Sequence, residues 1–93
     1  FLACIYIFHH QTTIKNKTEK KAGYQCIINC NGLRQSAEFI QTNKHGGILR
    51  SHDRCRAKFR FMYHDEYMKP GALFSFREGG TIGVGKVIKP IKK

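Results

Sequence analysis

Residues 76–87 read FREGGTIGVGKV, with Gly79, Gly80, Gly83 and Gly85 crowded into seven positions and Lys86 directly behind them. Two readings compete for this stretch. Gly80 and the Gly85-Lys86 pair fit G-x-x-x-x-G-K, the spacing of a phosphate-binding loop. The same residues also fit the closing hairpin of a small β-barrel. A working phosphate loop needs Ser or Thr after the lysine for magnesium, and a helix whose N-terminus faces the phosphates. Val87 follows Lys86 here, and the remaining residues, 88–93, include Pro90. The hairpin reading is the one that stands. Gly79-Gly80 then supplies a turn that needs positive φ. Gly83 and Gly85 share one face of a strand, where missing side chains admit a bulky neighbour or a close backbone.

The pattern on either side is also strand-like. Along residues 54–63, Cys55, Ala57, Phe59, Phe61 and Tyr63 alternate with Arg54, Arg56, Lys58 and Arg60. A period of two predicts one buried face and one strongly basic face. Residues 24–30 and 33–40 flank Asn31-Gly32. Asn-Gly between β-like runs predicts a tight hairpin, because both central turn positions take positive φ. Residues 2–8 are apolar at both parities, which predicts a strand covered on both sides. Residues 43–47 read as another turn, Pro70-Gly71 precedes a strand over 72–77, and Pro90 ends the last strand over 81–88. Six strands with turn-rich links and no helix predict an all-β fold, a closed barrel or a small sandwich. The longest loop, 11–23, carries Lys15, Lys17, Lys20 and Lys21, and the basic tail, 86–93, is expected to fray.

The 93 residues suffice for one domain, 1–93, with one modest core. No apolar run approaches the roughly 20 residues of a membrane span. The apolar opening lacks a basic leader and a small-residue cleavage site, so it reads as a strand and not a signal peptide. The chain opens on Phe, not Met, and is expected to be a fragment of a longer protein. Seventeen Lys and Arg against 6 Asp and Glu leave a net charge of +11, which favours an anionic partner, RNA or DNA before an acidic protein or a membrane surface. Of the four cysteines, Cys26 and Cys30 would lie on one face of a strand about 13 Å apart, too far for one zinc or for a disulfide. Free, mostly buried thiols in a reducing, cytoplasmic compartment are expected, and no metal.

The stripe Arg54, Arg56, Lys58, Arg60 has two readings. It is a solvated strand face, or it meets an anion, since four like charges with no intervening acid repel one another. Asn43-Lys44 begins an N-K-x-D guanine motif, but Gly46 stands where Asp belongs. His9-His10 near Thr12-Thr13 would point to opposite faces of a strand end. The carboxylates Glu19, Glu38, Asp53, Asp65, Glu66 and Glu78 are scattered singly. Nothing in the chain signals catalysis of its own.

The closing run REGGTIGVGKVIK resembles the end of elongation factor Tu, where a similar REGG-x-T-V-G-x-G segment closes the third domain. Phe8-His9-His10 with Ile14 resembles the loop after that domain's first strand in eukaryotic elongation factor 1-alpha. Gly23-Tyr24 with Cys30 resembles its G-Y…C strand, and residues 49–53 its turn before the fourth strand. HHQTTI, GLRQSAEF and FREGG are most similar to the GTP-binding protein 1 and 2 subfamily of translational GTPases. The resemblance implies a six-stranded Greek-key β-barrel, the C-terminal third domain of such a GTPase. It implies no cofactor in this chain, with GTP and magnesium held by a G domain that would precede it. Its partners would be tRNA or ribosomal RNA and the preceding domains of the same protein, with no membrane. The REGG turn touches the tRNA backbone in elongation factor Tu, so Glu78, Gly79 and Gly80 inherit that role by resemblance. Gln25 and Arg34 fall, by looser alignment, where other T-stem contacts lie. Chemically, Arg34 suits a phosphate, Gln25 a 2′-hydroxyl, and Glu78 a ribose hydroxyl or a guanine amine. Gln11 departs from the family's usual Pro, and the lysine-rich loop departs from elongation factor Tu. The alternative reading is a protein-protein interaction module with no direct RNA contact.

Overall fold

A computed structural model describes residues 1–9, 14–15, 23–42, 48–64 and 66–90. They form β1 (Leu2–His9), β2 (Ile14–Lys15), β3 (Gln25–Cys30), β4 (Leu33–Thr42), β5 (Ile48–Leu49), β6 (Arg54–Phe61), β7 (Leu73–Glu78) and β8 (Thr81–Lys89). Six of them close a barrel in the order β1-β6-β4-β3-β7-β8, and every neighbouring pair is antiparallel. β3, β4 and β6 run as a meander, and β1 lies beside β6 instead of its sequence neighbour, which is the Greek-key arrangement. No helix occurs among the described residues. The expected all-β, six-stranded barrel is therefore present. β2 and β5 pair apart from it as a two-residue ladder. That ladder is too short to carry a periodic signal.

Turn chemistry sets the registers. Asn31 and Gly32 both have positive φ, 48° and 88°, so a type I′ turn joins β3 to β4 and fixes Cys30 opposite Leu33. Gly79 has φ 57°, and positive φ falls on the first loop position alone, the pattern of a type II′ turn between Glu78 and Thr81. Lys69-Pro70-Gly71-Ala72 is a type II turn, with Gly71 at φ 88° and the Ala72 amide donating to the Lys69 carbonyl at 3.0 Å. The turn expected near 49–53 closes when the Asp53 amide donates to the Arg50 carbonyl at 3.1 Å.

Aromatic rings fill the interior. Six of the seven phenylalanines are buried, and Phe8 alone faces out. Phe59 is the hub, with ring centroids 5.6 Å from Phe1, 5.7 Å from Phe39, 6.3 Å from Phe74 and 5.9 Å from Phe76. Gly83 and Gly85 face this core, and they leave the room expected of them. A Cβ on Gly83 would lie 2.6 Å from Phe76 Cε1 and closer still to Cζ, and one on Gly85 would lie 2.7 Å from Phe74 Cε1.

Four expectations are corrected. β1 is covered on one side only: Ala3, Ile5 and Ile7 are buried, while Cys4 and Phe8 are exposed. A single closed barrel buries one face of each strand, so the second apolar parity must look outward. Tyr63 is exposed, because β6 ends at Phe61 and the chain then bends away, with the Tyr63 and His64 amides donating to Gln35 Oε1. Among the cysteines only Cys26 is buried; Cys4 lies on the outward parity of β1, and Cys30 sits beside the hairpin turn. The tail does not fray from Lys86, since β8 stays paired to Lys89. The turn at 43–47, most of the 11–23 loop, His10 and residues 91–93 lie outside the described residues.

Candidate nucleic-acid interface

The β7–β8 turn presents Glu78 and Gly79 at one rim of the barrel, both exposed. Tyr24, Cys26 and Thr81 are buried close by. Burial pushes the Cys26 thiol up to about 12, and the Glu78 carboxylate adds to the shift. Burial likewise raises the Tyr24 phenol, with Cys26 and Glu78 contributing. Both groups are neutral at pH 7.

Strand register decides which candidate residues meet. Ile27 pairs with Arg77, the last β3–β7 pair toward the start of β3, and exposed Gln25 lies two residues beyond it. Gln25 also faces Glu38 on β4. Arg34 is exposed but pairs with Asn29, four residues along β3 from Gln25 and hence about 13 Å away. Gln25 thus lies toward the barrel end that carries the Glu78–Gly80 turn, and Arg34 lies along the same hairpin, nearer its turn.

The basic stripe is on the outer face of β6, as the alternation predicts, with Lys58 half-buried and the three arginines exposed. Its two ends are engaged. The Arg54 guanidinium lies over the Tyr6 ring, 5.2 Å from the centroid. Arg60 donates to Glu38 Oε1 at 3.0 Å. Glu38 is 4% exposed, and its other oxygen accepts from the Gly23 amide at 2.9 Å. No local spacing could reveal this pair, because its members are 22 residues apart and meet only through β4–β6 register. β6 and β7 are three strands apart in either direction around the ring. Only Arg60, through Glu38, reaches the rim that holds Gln25.

Residues 80–87 do not fit a nucleotide cradle. Lys86 lies mid-strand, paired with Cys4 and Leu73, and no helix follows among the described residues. Among the described residues, no three His, Cys, Asp or Glu side chains are grouped to hold a metal. Among the described residues no helix is long and apolar enough to cross a membrane.

A closed Greek-key arrangement of six antiparallel strands with basic side chains on its outer surface defines a class, the small all-β barrel domain. Its relatives are more particular. Along nearly its whole length the chain is similar to GTP-binding protein 1 of Xenopus laevis, 34% identical over 89 residues, which are 96% of this chain and 12% of that protein. It is also similar to GTP-binding protein 2 of Mus musculus and of Homo sapiens, in each case 34% identical over 87 residues, 94% of this chain and 13% of the relative. The chain therefore spans about one eighth of the length of the curated relatives it matches. No protein-family model matches it.

Proposed function

We propose that this chain is the C-terminal β-barrel of a translational GTPase, and that it binds tRNA or ribosome-associated RNA while packing against the domains that precede it. The observation that supports this reading is that Gln25 and the Glu78–Gly80 turn lie toward the same end of the barrel in a chain with net charge +11. Similarity to GTP-binding proteins supports the parentage. In this reading Gly79 lets a ribose-phosphate backbone approach the turn, and Glu78 accepts from a 2′-hydroxyl or a guanine amine. Gln25 bonds a second 2′-hydroxyl, and Arg34, farther along the hairpin, pairs a phosphate. The barrel performs no chemistry. GTP and magnesium belong to a G domain outside these 93 residues, and the setting is the cytoplasm.

The test is titration of tRNA against the chain at several salt concentrations, with Arg34→Ala and Glu78→Ala as variants. Affinity should fall linearly with salt on logarithmic axes. Arg34→Ala should flatten that slope by one phosphate contact, about 0.7–0.9. Glu78→Ala should weaken binding several-fold at unchanged slope. Binding that ignores both salt and the substitutions refutes the site. A protein-interaction reading gains from one observation, the engagement of Arg54 and Arg60 within the fold.

A further inference from the structure

We propose that the outer face of β1, β8 and β7 is a docking groove for an acidic amphipathic helix of a protein partner. The groove encloses about 860 Å³ and runs from β6 across β1, β8 and β7 to β3. One row crosses it in register, Arg54–Tyr6–Val84–Ser75–Asn29, and a second is Arg56–Cys4–Lys86–Leu73. Its middle is apolar and open: Leu73 is 70% exposed and Val84 38%. Ile82 and Phe8, also exposed, lie beside it on β8 and β1. Exposed apolar side chains set among charged ones suit an interaction surface.

The charge is of one sign. Arg54, Arg56 and Lys86 line the groove, and no carboxylate does. The Arg54 guanidinium carbon lies 5.2 Å from the centre of the Tyr6 ring at one end of the first row, and a guanidinium suits a carboxylate. The occupant is therefore apolar on one side and acidic at its flanks. It is not an added strand, because β1, β7 and β8 are each paired on both sides and the closed barrel offers no edge. Docking must proceed through side chains, as a helix laid in a groove does. The floor residues Leu73, Val84 and Cys4 offer no ring for base stacking, which leaves Phe8, beside the groove, as the exposed ring nearby.

The test uses a fluorescent 14-residue synthetic peptide with leucines at i, i+3, i+4 and i+7 and glutamates on both flanks. A scrambled peptide and a version with lysines for glutamates are the comparisons. Binding to the 93-residue chain is read by anisotropy, with circular dichroism confirming that each variant is folded. The acidic helix should bind at least tenfold more tightly than either comparison. Leu73→Asp and Lys86→Glu should each weaken it at least tenfold, while tRNA affinity of Leu73→Asp stays within twofold, which separates this groove from the Glu78 rim. Equal binding of the three peptides overturns the proposal, as does indifference to both variants. Loss of tRNA binding on Leu73→Asp would make RNA the occupant. Peptide binding that vanishes in a longer protein containing the barrel would make the groove an internal packing face.

Discussion

Replacing Gly83 with Ala should destabilise the barrel by crowding a single ring. The new Cβ would sit 2.6 Å from Phe76 Cε1 and nearer to Cζ, where ordinary contact needs about 3.4 Å or more. The ring would have to retreat by about 1 Å, and it has nowhere to go. Phe76 is 1% exposed, with Phe59 and Phe74 centroids 5.9 and 6.4 Å away. Overpacking of this kind costs about 1–3 kcal/mol. Loss of glycine's excess unfolded-state entropy offsets about 0.5–1 kcal/mol of that. With both edges of the ring crowded, a net loss of about 2 kcal/mol is expected, a fall in Tm of about 8–16 °C for a domain of this size. Thermal melts followed by circular dichroism, with urea titrations beside them, supply the measurement. The companion variant Phe76→Leu shortens the offending side chain. The double variant should then lose less than the sum of the two single losses, by at least about 0.5 kcal/mol. A Gly83→Ala protein that melts within 2 °C of the parent, or a double variant that is strictly additive, would refute the packing argument.

Glu38→Ala should cost about 2–3 kcal/mol, mostly because the buried Gly23 amide loses its acceptor. The Arg60 contact adds little, since that guanidinium is 58% exposed. Glu38→Gln keeps an acceptor and should lose about half as much in urea unfolding. Thiol labelling with Ellman's reagent at pH 8 should modify Cys4 first, while Cys26 reacts only when the barrel unfolds. The raised Cys26 pKa also has a sign. The unfolded thiol loses its proton near pH 9 and the folded one near 12, so stability should fall as pH rises through that window, by up to about 1.4 kcal/mol per unit. Cys26→Ala should blunt the fall, leaving the part due to Tyr24.

Much of the barrel was legible because its signals are local. Asn31-Gly32 names its own turn, Arg54 to Phe61 spells out a period of two, and Gly83 with Gly85 marks a face where rings intrude. The errors came from what locality cannot show. An apolar run at both parities, as in β1, reads equally as a doubly covered strand or as one with an apolar outer face. Only the closed topology, with nothing over that face, decides. The stripe on β6 looked unrelieved because its acid, Glu38, sits on another strand. The grouping of Gln25 with the Glu78 turn rests on resemblance alone, since local spacing is silent on residues 53 positions apart in the chain. The outer groove left a trace in the apolar positions Cys4, Tyr6 and Phe8. That trace was absorbed into an expectation of burial.

The most direct measurement is an amide NMR titration of the isotope-labelled chain with tRNA at two salt concentrations. RNA recognition at the rim predicts shifts concentrated at Gln25 and Glu78–Gly80, extending toward Arg34 and receding as salt rises. Shifts confined to Tyr6, Leu73 and Val84, or no shifts at all at low salt, would contradict it.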